Sequence, residues 1–286
     1  NTEVLYAKGV DLIIPNIKPG ENQYMLPLKF NTTDDSKIAR AVEVAKKSDV
    51  VLLAIGENAY QTGEGRSQTN IGLLGLQNKL LEAVYKVNKN VVVVLMNGRP
   101  LDLTKVSDTA PSILECWHLG SQSGNAIADV IFGDYNPSGK LPVSFPHHVG
   151  QEPLYYSQKN TGRPSSTKNV FYSGYRDAPK TALYPFGFGL SYTTFSYDNL
   201  QLDKKETTVN QNINVSVNVK NTGDTTGEEV VQLYIRDLVG SLVRPIKELK
   251  GFEKVKLKPG ESKTITFTLN AKTLQFYTAH KKWEVE

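Results

Sequence analysis

Two runs, residues 49–55 (DVVLLAI) and 90–96 (NVVVVLM), are apolar at almost every position. A strand with one wet face alternates apolar and polar residues. A run without alternation is expected of a strand in a parallel sheet, covered on both faces. Segments of helical period separate these runs. Ile38, Ala41, Val42 and Ala45 fall on one face of a helix, with Lys37, Arg40, Glu43 and Lys47 on the other. Asp34, Asp35 and Ser36 offer its N-cap. Leu76, Leu80, Leu81, Ala83, Val84 and Val87 give a second stripe. Residues 112–117 (SILECW) read as a further strand and about 124–132 as a further helix. Such alternation specifies an α/β fold, a doubly wound and mostly parallel sheet. A short buried strand is expected at 4–7 (VLYA). An edge strand is expected at 140–145 (KLPVSF), where Pro142 excludes a central position. Residues 11–33, with Pro15, Pro19 and Pro27, read as irregular.

From Ser196 the period falls to two. Ile213, Val215, Val217 and Val219 alternate with polar residues, and residues 230–235, 249–257 and 262–269 give further strands separated by turn sequences. This spacing indicates an antiparallel sandwich of about six strands. The expected division is 1–148 for the α/β domain, 149–195 for an ordered linker and 196–286 for the sandwich. The linker is rich in aromatics, among them Tyr155, Tyr156, Tyr172, Tyr184, Phe186 and Phe188. That density predicts packing rather than a flexible tether. Both ends of the chain read as cut from something longer, and the sandwich is expected to lack its last strand.

A length of 286 residues suits two domains. A net charge of +4 without a long Lys/Arg run gives no footprint for nucleic acid. The lysines of 254–258 alternate with apolar residues and read as a solvated strand face. Cys116 stands alone, within an apolar run, and is expected to be a buried thiol. No stretch is long and apolar enough for a transmembrane helix, and the first residues carry no leader signature.

The chemistry is expected where the first apolar run ends. Residues 56–70 (GENAYQTGEGRSQTN) carry Glu57, Glu64, Arg66 and Tyr60. Open α/β sheets bind ligands outside the carboxyl ends of their strands. The right-handed crossover rule places this loop beside Asn97 and Arg99, at the end of the next strand. Two carboxylates on one loop suit acid/base work. The same residues also suit a structural reading, with Glu57 ordering the loop and Glu64 paired to Arg66. The loop has neither glycine-rich phosphate-binding form and brings negative charge, which argues against nucleotides. His118, His147, His148 and His280 have no zinc-like spacing, and no G-x-S-x-G elbow is present. No metal or cofactor is expected.

Four longer stretches carry a resemblance. They are residues 120–146 (GSQSGNAIADVIFGDYNPSGKLPVSFP), 184–195 (YPFGFGLSYTTF), 218–235 (NVKNTGDTTGEEVVQLYI) and 244–262 (RPIKELKGFEKVKLKPGES). Together they resemble the C-terminal half of glycoside hydrolase family 3, of the bacterial periplasmic β-glucosidase type. The resemblance implies an α/β sandwich domain followed by a fibronectin type III-like domain. It also implies a preceding (β/α)8 barrel outside this chain, which carries the nucleophilic aspartate of a retaining mechanism. Glu64, in TGEGRSQT, occupies the place of the family's acid/base, and Glu57 is the second choice.

A retaining pair stands about 5–5.5 Å apart, so the two carboxyls would meet when the domains dock. Arg66 paired directly to Glu64 would favour the ionised form, wrong for an acid, so Arg66 is expected to point away or to be neutralised. Tyr60, Arg66, Tyr155, Tyr156 and Arg163 are candidate substrate contacts. The implied substrate is a terminal non-reducing β-D-glucoside or oligosaccharide, and the implied location is periplasmic or extracellular. A β-xylosidase or exo-β-glucanase, or a non-catalytic carbohydrate-binding module, are the competing readings. The sequence preceding Asn1 would discriminate them.

Overall fold

The computed structural model describes residues 2–14, 29–163, 171 and 173–286. Pro15, Pro19, Pro27 and Tyr172 lie outside the described residues. The chain forms two compact units. One comprises Asn1–Ile127, Phe145–Glu152 and Thr181–Leu183, the other Ala128–Ser144, Pro153–Lys180 and Tyr184–Glu286.

The first unit is built on three parallel strands, β1 (Val51–Gly56), β2 (Val91–Met96) and β3 (Ser112–Glu115), in the order β1-β2-β3. Leu53 lies opposite Val93 and Ile55 opposite Leu95. These four are buried and form one apolar face. Helices α1 (Ile38–Lys47) and α2 (Gln77–Val87) supply the connections expected from their stripes. Leu80, Leu81 and Val84 of α2 are almost wholly buried. A short helix, α3 (Thr104–Thr109), precedes β3, and α4 (Ser123–Phe132) follows it.

Several expectations are corrected here. No side chain caps α1: the Asp34 carboxylate accepts from the Ser36 N–H, and Asp35 pairs with Lys79 at 2.5 Å. Residues 4–7 form no strand and are not buried, with Val4 and Tyr6 about as exposed as side chains become. β preference is fit to a sheet surface, and no described strand pairs with this run. β1 is not covered on both faces, because Leu52 and Ala54 are exposed. Among the described residues only its Leu53–Ile55 side is sealed. Residues 140–145 make no strand either. The Leu141 N–H donates to Phe188 O and Leu141 O accepts from Gly187 N, a loop-to-loop exchange.

The second unit is antiparallel. One sheet has the order β4-β5-β8, from β4 (Phe195–Leu202), β5 (Ile213–Asn221) and β8 (Ser262–Leu269). The other pairs β6 (Gly227–Ile235) with β7 (Glu248–Leu257). The period-2 pattern is realised directly. Val219, Val231, Val255, Leu257 and Ile265 form the core, with Phe195, Val217 and Phe267 against it. A four-residue helix, α5 (Ala271–Leu274), leads into a hairpin of β9 (Phe276–Tyr277) and β10 (Trp283–Glu284).

Polar side chains lock the turns of this unit. Asn221 is fully buried, yet all its bonds are made. Its Oδ1 accepts from Thr193 Oγ1 and Gly223 N, and its Nδ2 donates to Thr225 O and Leu257 O. Asn136 accepts from Ser191 and from Tyr192 N and donates to Thr226 O. Lys140 places its ammonium 3.2 Å from the buried Glu229, with a second bond to Gly189 O at 2.8 Å. Tyr197 donates to the same carboxylate at 3.0 Å. Removing the cation while keeping its length should therefore strand a buried charge. Lys140→Met is expected to cost about 3–5 kcal/mol, read as faster hydrogen exchange of the β6 amides and a lower urea midpoint.

Candidate active-site loop

The loop after β1 is held by three separate anchors. Gly56 ends the strand at φ 137°, and a Cβ there would stand 1.9 Å from Met96 O, so only glycine fits. The amide of Gln77, at the start of α2, accepts from Gly56 N at 2.7 Å and donates to Gly56 O at 3.0 Å. Both backbone groups that the strand leaves open are thus satisfied by one buried side chain. Glu57 is the second anchor. It is buried, its Oε2 accepts from Gly98 N at 3.1 Å, and its Oε1 lies 3.0 Å from Arg99 Nε. The end of β1 is therefore fastened to the end of β2, as the crossover rule required.

Arg99 is the third anchor. One guanidinium nitrogen donates both to Gln61 O and, at 3.1 Å, to Arg66 O. These carbonyls stand on either side of Glu64. The interior of the loop is tied as well. Tyr60 N donates to Asn58 Oδ1, Asn58 N to Gln61 Oε1, and Gln68 Nε2 to Gln61 O. Thr62 Oγ1 meets His118 Nε2 at 3.1 Å. Gly98 lies under this contact, where a Cβ would be 2.9 Å from the Thr62 methyl.

Glu64 projects from the tip. It lies between Gly63 (φ 112°) and Gly65 (φ 68°), in a turn closed by Arg66 N donating to Gly63 O at 3.2 Å. It is exposed, whereas Glu57 is buried. Among the described residues Glu64 enters no ion pair, with Arg66 or any other cation. A cavity of about 410 Å³ opens beside the turn, lined by Phe30, Tyr60, Arg66, Gln68, Asn70 and Leu74 among others. The structure thus brings Tyr60 and Arg66 together beside the Glu64 turn.

The other candidate contacts belong to the second unit. Tyr155 is exposed. Tyr156 stacks on Phe186 with centroids 4.2 Å apart and meets Tyr234 edge-on. Arg163 is exposed, and its carbonyl accepts from Ser173 N. Cys116 is buried, and its thiol is pushed up to about 11, first by burial and then by the Glu115 charge. Among the described residues no group of three or more His, Cys, Asp or Glu is placed to hold a metal.

Two residues that sequence reasoning did not single out for chemistry complete the edge. The crossover rule places Asn97 only as a neighbour of the loop. It is fully buried, and its Nδ2 donates to Arg99 O at 2.8 Å. Glu115, at the end of β3, accepts from Trp117 N at 2.9 Å. Burial pushes its carboxyl up to about 7, against the lowering effects of the Trp117 N–H and of Asn97. The sequence offered one signal for it, a carboxylate inside the apolar run SILECW.

Two family models match the chain. Residues 6–192 match the glycosyl hydrolase family 3 C-terminal domain, and residues 229–286 match a fibronectin type III-like domain. The chain belongs to glycosyl hydrolase family 3. Among similar family 3 proteins, the periplasmic β-glucosidase of Salmonella typhimurium is 44% identical over 99% of this chain. A β-xylosidase of Formosa agariphila is 46% identical over 86% of it. The crystal structure of a Listeria innocua β-glucosidase in complex with glucose superposes with a TM-score of 0.85, at 38% identity over 90% of the chain. The chain spans only 38%, 33% and 36% of the lengths of these three proteins, respectively.

Glu115 gives this family 3 domain a testable pH dependence. Its folded carboxyl holds a proton up to about pH 7, against an ordinary 4.5. The folded state therefore binds the proton more tightly, and stability falls as pH rises through that window. Allowing for partial exposure, the loss is on the order of 2–3 kcal/mol. Glu115→Gln should remove it. The check is unfolding free energy at pH 5 and pH 8, where wild type should lose stability relative to the variant.

Proposed function

We propose that this chain supplies the general acid/base of a retaining β-glucosidase, and that Glu64 is that residue. The observation that supports the choice is the contrast between the two loop carboxylates. Glu57 is buried and bound to Arg99 and Gly98 N, so both oxygens are committed. Glu64 is exposed on a braced turn and pairs with no cation among the described residues, so its carboxyl is open to a substrate. That Glu64 forms no ion pair with Arg66 among the described residues supports the reading, since a direct pair would favour the charged form.

In this reading the nucleophilic aspartate comes from a (β/α)8 barrel elsewhere in the whole protein. It attacks the anomeric carbon while Glu64 protonates the leaving oxygen. Glu64 then deprotonates the water that releases the sugar. An acid working near neutrality needs a nearby like charge or removal from water. Docking of the barrel would supply both. The domain division 1–148, 149–195 and 196–286 belongs to the same proposal, with the sandwich in a supporting role.

The proposed substrate is a β-glucoside or oligosaccharide with a terminal non-reducing β-D-glucosyl residue, and the proposed location is periplasmic or extracellular. Among the described residues no helix is long and apolar enough to cross a membrane. Tyr60 and Arg66 would line the leaving-group side through their shared cavity. Tyr155, Tyr156 and Arg163 remain part of the proposal as further contacts. The β-xylosidase similarity keeps a xylosidase as the second reading.

This chain alone should not turn over an aryl β-glucoside, because it lacks the second carboxylate, and turnover would sink the model. In the full-length protein, Glu64→Ala should lower kcat by about 10²–10⁴ for poor leaving groups. The loss should be smaller for an acidic phenol, which departs without protonation. Glu57→Gln should instead lower the melting temperature of this chain.

A further inference from the structure

Glu115 Oε2 and Asn97 Oδ1 are both buried and have no hydrogen-bond partner among the described residues. Buried acceptors without donors are uncommon in native proteins. Here two occur on side chains that contact each other. They stand at the carboxyl ends of adjacent parallel strands, with Leu95 opposite Glu115 and Asn97 two positions on. The orientation of Asn97 is set from elsewhere, because its Nδ2 donates to the Arg99 carbonyl. A proton on Glu115 supplies a donor that this pair of acceptors otherwise lacks.

The ionisable groups at this edge are Glu57, Arg99, Cys116 and His118. Glu57 holds Arg99, and His118 is bonded to Thr62. Cys116 keeps its proton, with its Sγ facing Leu114 O. No cation among the described residues pairs with Glu115. An ionised Glu115 would have one firm donor, Trp117 N, and its next available donor is the Asn97 amide. That amide is the one bracing the Asn97–Arg99 turn.

We infer that Glu115 is a positioning residue for the Glu64 loop. When neutral it donates its proton to the otherwise donorless Asn97 Oδ1 and leaves the amide nitrogen on the Arg99 carbonyl. When ionised its charge is repelled by that Oδ1, the amide turns its nitrogen toward the carboxylate, and the turn that carries the Arg99 guanidinium is freed. The consequence reaches Glu64 through contacts already described, since Arg99 holds Gln61 O and Arg66 O on either side of it. Gly98 N would also loosen from Glu57. The link to catalysis rests on the assignment of Glu64 as the acid/base, whereas the link to loop order does not.

Two measurements test this. In this chain, hydrogen exchange at Gly98 and Arg66, corrected for intrinsic rate, should accelerate about tenfold between pH 6 and pH 8. The same amides in Glu115→Gln should show no such change. Flat exchange in wild type would overturn the inference, and this arm needs no variant to fold. In the full-length protein, kcat/KM for an aryl β-glucoside should fall above about pH 7 in wild type. In Glu115→Gln the fall should move upward by about one pH unit or more. A profile identical in shape to wild type, whether or not activity is uniformly lower, would overturn the positioning role. Full activity in Glu64→Gln would refute the acid/base assignment instead, and would leave the exchange result standing.

Discussion

The candidate edge of the first unit depends on where one guanidinium is spent. Arg99 meets a buried carboxylate on one side and two backbone carbonyls on the other. A buried charge is costly unless it is paired and its remaining protons are bonded. The loop satisfies that demand by folding its own carbonyls onto the fork. An ammonium could neutralise Glu57, but it has no rigid fork to reach both carbonyls at once. The order of the Glu64 turn is thus a by-product of satisfying Arg99.

The same logic runs through the second unit with different groups. Asn221, Asn136 and Lys140 lie in the stretches that carried the family resemblance, and each satisfies backbone carbonyls or a buried carboxylate. These motifs read as long and specific because a turn-locking side chain must match several partners at once. Their role in the structure is turn geometry and burial, not chemistry. A motif that identifies a family need not mark its reacting residues.

Periodicity carried most of the fold. The apolar runs became β1, β2 and β3, the stripes became α1 and α2, and the alternating segments became the strands of the sandwich. The failures share a cause. Residues 4–7 and 140–145 have strand-like composition, but a strand exists only where a neighbour offers a ladder, and composition does not report neighbours. The exposed Leu52 side of β1 is the same failure at smaller scale. An apolar run says that a face can be covered, not that it is.

By itself the sequence determined the two-part architecture, the family and the loop that carries Glu57 and Glu64, because these rest on local period and on motif strings. Tertiary structure decided how the two carboxylates differ. Glu57 turns inward because Arg99 and Gly98 arrive from a strand some forty residues away, and Glu64 stays outside because the Gly63–Arg66 turn closes beneath it. It also decided that the half-buried Glu115 places a buried Oε2 beside Asn97, with no cation paired to it among the described residues. Charge state follows from what surrounds a group after folding. The carboxyls of Glu57, Glu64 and Glu115 are alike in the sequence, and only packing makes one an anchor, one an exposed acid/base candidate and one a store for a proton.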